Sequence, residues 1–455
     1  LAEVAIACHE ESDETFNAYL TWDADVPRKM APAADSAFAA NCDAGPLQGL
    51  PISIKDLYGI KGFPTFGGSG KRLPVKWEKE GPVVQDIKGQ LGVITGKTHT
   101  VEFAAGGLGT NIHWGTPRNP WDADVARSPG GSSAGAGVSL WEGSAKVAFG
   151  SDTMGSVRIP ATATGVVGLK ITVNRWSSAG ILPLRASMDT PGPLTRTVAD
   201  AAYVFGALDT LHRNSLAAFL RTVNAADVSG FTIGIADPSF WDGCDPGVPE
   251  AVRGAIAELE RAGARVVDAP SPETAELLDV VMRGEMLNTE LLVFLERELP
   301  GWLEQADPGL RERLESSRDV TAVELMGRER WLSDLVLRAN AAFPAVDVLV
   351  APTLCVTPPV VDPSQLVEVA SEGQGVGPGG HPLILARNTC VANFLSQCAI
   401  TLPVGLDAEN MPVGLQFTAP GGEEEKLLAV SIAAEKILGT GTQRIGTPPI
   451  KLMGD

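Results

Sequence analysis

The residues best suited to chemistry stand beside glycines. Serine meets glycine in Gly130-Gly131-Ser132-Ser133-Ala134-Gly135 and again in Gly150-Ser151-Asp152-Thr153-Met154-Gly155-Ser156. Upstream, a lone lysine closes an apolar run, Pro51-Ile52-Ser53-Ile54-Lys55-Asp56. A serine hydroxyl is a weak nucleophile and needs a base. A lysine can be that base only if burial depresses its pKa enough to leave it neutral. Each segment alone is a weak signal, since a Ser-Gly loop is usually a turn and a strand-ending lysine usually reaches solvent. Together, and in this order, they are a strong one.

Other chemistries find less support. The five histidines, His9, His99, His113, His212 and His381, fall in no HExxH, no GxSxG elbow and no metal-ligand spacing, so each reads as structural. No Gly-rich stretch ends in GK[ST], which leaves a P-loop without support. The net charge of −19 argues against nucleic acid, because phosphate binding needs a basic face. Six scattered cysteines without a CxxC fit reduced thiols and no zinc site. The apolar stretch 341–356 is broken by Pro344 and Asp347, so no membrane span is expected. With no signal peptide read, the expected location is cytoplasmic.

The elements that must position these residues follow from hydrophobic spacing. Half of the 50 glycines lie within residues 45–180, where backbone must take unusual angles or approach a ligand closely. That segment carries short apolar runs read as buried strands at 51–54, 93–95 and 146–149, alternating with helical stretches at 81–91 and 134–141. Such alternation predicts an α/β sheet covered on both faces. Residues 187–211 read as helical, 231–235 and 265–267 as strands, and 249–262 as a helix. Residues 273–340 form a long polar helical stretch, expected to be an outer layer. Strands return at 346–350, a Gly-rich mobile loop at 365–381 follows, and 399–404 with 413–417 form a closing strand pair before a last helix at 423–438.

On these residues the chain resembles the amidase signature family of serine hydrolases. The likeness runs through residues 49–56, 119–122, 127–137, 150–161, 165–170, 191–200 and 411–417. It is most specific in the Gly/Ser-rich stretch 128–161. The resemblance implies a large twisted mixed β-sheet flanked by helices on both faces. It also implies one amidase domain over 1–455: a catalytic core at 45–200, a mostly helical elaboration at 205–345 and closing elements at 346–440. Carried over by motif, Ser156 is the nucleophile, Ser132 the bridging serine after a cis peptide bond, and Lys55 the base. Ser132 would relay a proton from Ser156 to Lys55 and return it to the leaving amine. The backbone N–H groups of Thr153, Met154, Gly155 and Ser156 suit an oxyanion hole. Gly131 would give steric room, while Ser133, Asp152 and Arg158 would support the loops. Met154 departs from the pattern, because relatives usually carry a small residue there.

The reaction class implied is acylation of Ser156 by an amide or related carbonyl, release of an amine, then hydrolysis, with no cofactor and no metal. Phe103, Gly106, Gly107, Met154 and Arg387 are the candidate pocket residues. With Trp114 and the largely apolar stretch 381–389, they favour a neutral, hydrophobic amide, anilide or carbamate, as in an aryl acylamidase or urethanase. The rival reading is the glutaminase component of a tRNA-dependent amidotransferase, with Arg387 as its candidate carboxylate clamp, although a lone Arg is more often a surface or loop anchor. Expected partners are the small-molecule substrate alone, without nucleic acid or membrane, the chain being a monomer or homodimer.

Overall fold

Apolar side chains in β-strands alternate between two faces, and strand 147–152 shows how this chain uses that rule. Val147 and Phe149 enter one buried cluster with the helices Val198–Leu208, Val248–Arg261 and Glu424–Leu438. Ala148 enters another with the helix Ala134–Glu142. Both faces of the strand are therefore covered, which explains a run that is apolar without alternation.

The computed structural model describes residues 1–281, 285–361 and 384–450. Its strands are β1 (Tyr19–Trp22), β2 (Pro51–Lys55), β3 (Val93–Thr98), β4 (Val147–Asp152), β5 (Val167–Lys170), β6 (Thr190–Thr195), β7 (Thr232–Ile235), β8 (Arg265–Asp268), β9 (Val348–Pro352), β10 (Cys398–Leu406) and β11 (Pro412–Ala419). They make one eleven-stranded sheet in the order β1-β3-β2-β4-β6-β5-β10-β11-β9-β7-β8. β2 runs parallel to β3 and β4, and β7 runs parallel to β8 and β9. The remaining pairs are antiparallel. The large mixed sheet between helices is thus the expected architecture.

One expectation changes. Residues 187–211 do not form one helix: β6 occupies 190–195, and the helix begins only at Val198. Pro191 and Pro193 lack the N–H that a helix interior needs, and each biases the residue before it toward extended backbone. The expected strand pair of 399–404 with 413–417 forms as β10 and β11, antiparallel, in the middle of the sheet between β5 and β9. The long helical stretch appears as Pro272–Val281, Glu285–Glu298, Pro308–Ser316 and Ala322–Ala341. The Gly-rich loop lies outside the described residues. Among those described, no helix is long and apolar enough to cross a membrane.

The carboxyl ends of the parallel strands β2 and β4 carry Lys55 and Asp152. Open α/β sheets place their sites at such ends. On β2, Ile52 and Ile54 face the larger cluster, whereas Ser53 faces the opposite side and meets Ser139 Oγ at 2.8 Å. Lys55, two residues on, shares the Ser53 face and points toward the start of the Ala134–Glu142 helix. The sheet centre should be intolerant of truncation. Phe417→Ala on β11, a fully buried ring, is expected to cost ~3–5 kcal/mol, measurable as a lowered urea midpoint.

Candidate active site

Lys55 is wholly buried, and its Nζ lies 2.8 Å from Ser132 Oγ and 2.9 Å from Ser151 Oγ. Burial pushes its pKa down, against the opposing pull of the Asp189 and Asp152 carboxylates, to about 7. The amine is therefore neutral in a large fraction of molecules near neutral pH. Ser132 follows a cis peptide bond after Gly131 and stands one residue before Ser133, the N-cap of the helix Ala134–Glu142. Its carbonyl accepts from Val101 N–H at 3.1 Å. A Cβ on Gly131 would come within 2.7 Å of the Gly109 nitrogen, so only glycine lets these loops approach.

The turn after β4 is bracketed by one carboxylate. Asp152 accepts from Gly155 N–H at 2.8 Å and from Val157 N–H at 3.2 Å. Arg158 grips the same carboxylate with Nε at 3.1 Å and Nη2 at 3.0 Å. Burial alone would raise the Asp152 pKa; the Arg158 charge and hydrogen bonds, aided by Lys170 and Asn393, take it down to about 2. The guanidinium also donates to Gln416 Oε1 at 2.7 Å and Asn393 Oδ1 at 2.6 Å. Ser133 N–H reaches the Ser156 carbonyl at 3.4 Å, laying this turn alongside the cis-serine loop. Ser156 itself is 6% exposed. One part of the oxyanion expectation needs correction. The Gly155 N–H is committed to Asp152, while those of Thr153, Met154 and Ser156 have no protein partner among the described residues. Gly155 has φ +120°, and a Cβ there would sit 2.0 Å from Thr389 Oγ1.

The family model described as Amidase matches residues 2–428. The chain belongs to the amidase family. A 2-amino-5-chloromuconic acid deaminase of Comamonas testosteroni is 44% identical over 442 residues, covering 97% of this chain and 93% of that protein. A glutamyl-tRNA(Gln) amidotransferase subunit of Acidothermus cellulolyticus is 32% identical over 473 residues, with 95% and 90% covered. A solved structure described as an amidase superposes with a TM-score of 0.83 at 29% identity, covering 96% of this chain and 95% of that one. This chain is accordingly a hydrolase acting on carbon–nitrogen bonds of small amides.

Beside the Ser156 turn the amidase is apolar. Met154 joins Ile159, Met188, Ile384 and Leu385 in one buried cluster, and Gly107 faces Leu385 and Ile159. Phe103 is buried with φ 48°, its N–H on the Gly67 carbonyl at 2.8 Å, while Gly106 is exposed. Trp114 Nε1 donates to Ser69 O at 2.8 Å and its ring meets the edge of Phe66. Arg387 spends its guanidinium on the carbonyls of Asp242 at 2.6 Å and Phe240 at 3.2 Å, so it anchors a loop. His9 pairs with Glu142, His99 with Asn17, His113 with Glu102, and His212 lies by Asp209; His381 lies outside the described residues.

Sequence reasoning missed Ser151, Asp189, Thr389, Asn393 and Gln416 as neighbours of the site. Only Ser151 and Gln416 lay in stretches that already carried the resemblance. Arg158→Met would strand the Asp152 charge in the interior, with an expected loss of ~3–5 kcal/mol in urea unfolding. The double variant D152N/R158M should recover much of that loss.

Proposed function

We propose that Ser156 attacks the carbonyl of a small amide, with Ser132 passing its proton to neutral Lys55. The observation that carries this reading is the 2.8 Å contact between a buried amine and the hydroxyl of Ser132. In the acylation step the Ser156 Oγ–carbonyl bond forms as its proton moves to Ser132 and the Ser132 proton moves to Lys55. The developing oxyanion is met by the free N–H groups of Thr153, Met154 and Ser156. Collapse breaks the C–N bond, and Lys55 returns the proton through Ser132 to the departing amine. Water then repeats the sequence on the acyl-enzyme, releasing the acid.

For the substrate, the apolar cluster around Met154 supports a neutral, hydrophobic amide, anilide or aryl carbamate. A second reading, an unsaturated amino acid losing ammonia, has support in the 44% identity to a protein named for 2-amino-5-chloromuconic acid. The glutaminase reading loses its clamp, since Arg387 already serves two carbonyls. A panel of amides, anilides, carbamates, esters, 2-aminomuconate and glutamine, assayed with the purified chain alone, separates the three. The expected result is fastest turnover of an apolar anilide or carbamate; ammonia from 2-aminomuconate alone would establish the second reading.

Ser156→Ala should lower kcat by at least about 10⁴-fold, and unchanged amine release would refute the nucleophile. A base is effective only when unprotonated. The kcat/KM profile should therefore rise with pH through a half-point near 7, where Lys55 loses its proton, and a flat acid limb would refute the assignment.

A further inference from the structure

Asp189 is a buried carboxylate for which the steps above have no use. It lies just before β6 and is 8% exposed. Its Oδ1 accepts from Thr153 Oγ1 at 2.5 Å, and its Oδ2 accepts from Leu184 N–H at 2.9 Å and Arg185 N–H at 3.2 Å. The next residue, Thr190, donates through Oγ1 to the Asp152 carbonyl at 3.0 Å. The segment 189–190 is thus fastened twice to the turn that holds Ser156. Its other side is tied outward: Arg185 pairs with Glu290 at 2.9 Å and Glu329 at 2.6 Å, on two different outer helices.

We infer that Asp189 is a positioning residue for the reaction: its carboxylate holds the Thr153 end of the oxyanion turn, two residues from Ser151, whose hydroxyl meets Lys55 Nζ at 2.9 Å. The inference rests on the Ser156–Ser132–Lys55 reading. The other charges around it are accounted for. Asp152 is matched by Arg158, and Glu290 and Glu329 by Arg185. Asp189 has hydrogen-bond donors and no cation of its own among the described residues. Of the charges acting on Lys55, Asp189 has the largest influence, ahead of Asp152. Burial raises the Asp189 carboxyl to about 6, so it remains mostly ionised from neutral pH upward. A negative neighbour favours the protonated amine, so ionised Asp189 holds the base near the working pH where burial alone would carry it lower.

Asp189→Asn keeps the size and one acceptor oxygen and removes the charge. The acid limb of kcat/KM should move to lower pH by about half a unit or more, and kcat at pH 8 should fall. An unmoved limb, or one displaced upward, overturns the inference. Thr153→Ala is the second variant, needed if Asp189→Asn does not fold. It should lose about tenfold or more in kcat with KM little changed, and Thr153→Ser should restore the rate. Full activity in Thr153→Ala overturns the positioning role. Labelling of wild-type Ser156 by a serine-directed acylating probe separates the two levels. Failure to label refutes the triad and this inference together; labelling with an unmoved limb refutes only the inference.

Discussion

The structure turns on the desolvation of one amine. Lys55 is held at the end of β2, on the face that carries the Ala134–Glu142 helix, with only the hydroxyl oxygens of Ser132 and Ser151 within hydrogen-bond reach among the described residues. Its neighbour Lys97 is equally buried but meets the Asp56 carboxylate at 2.7 Å. An adjacent carboxylate favours the charged form, and hydroxyl partners in a dry setting do so far less. The same side chain is therefore an ion-pair partner at position 97 and a candidate base at position 55. The difference lies in what the strands bring beside it. The surrounding strands and loops bury that nitrogen away from any directly paired carboxylate among the described residues, with two serine hydroxyls against it.

The Asp152–Arg158 pair is the second constraint, and it serves geometry. A buried ion pair adds little net stability, but every donor and acceptor here is directed. The carboxylate collects N–H groups from the turn, and the guanidinium reaches Asn393 and Gln416 from the far end of the chain. The turn is fixed through its Gly155 and Val157 N–H groups, while those of Thr153, Met154 and Ser156 have no partner among the described residues. Met154 fits this arrangement because its side chain joins the apolar cluster while Thr389 Oγ1 holds its carbonyl at 2.6 Å.

Much of this was legible in the sequence because the signals are local. The runs at 51–54 and 146–149 are strands because β-branched and aromatic residues crowd between turn formers, and the serine-glycine loops sit next to them in the chain. Residues 187–195 show where local reading fails. Helix-like spacing further on, from Val198 to Phe205, masked the two prolines that make β6 extended. The contacts made by Asp189, Asn393 and Thr389 were out of reach for another reason. Each is an ordinary polar residue whose role comes from a partner 36 to 241 positions away, and spacing along the chain holds no record of such distances. Arg387 stood between clamp and loop anchor for the same reason, since the carbonyl partners on 240 and 242 that decide for the anchor are visible only once folded.

The residues assigned to chemistry all lie within the first 156 positions, yet Arg158 finds two of its partners only at 393 and 416. During synthesis, the early portion of the chain leaves the ribosome with its serines and lysine present and its bracket unfinished. A fragment ending before residue 393 would carry a guanidinium short of acceptors and a turn without its lower support. In chain order the bracket is completed only by acceptors that lie 235 and 258 positions after Arg158.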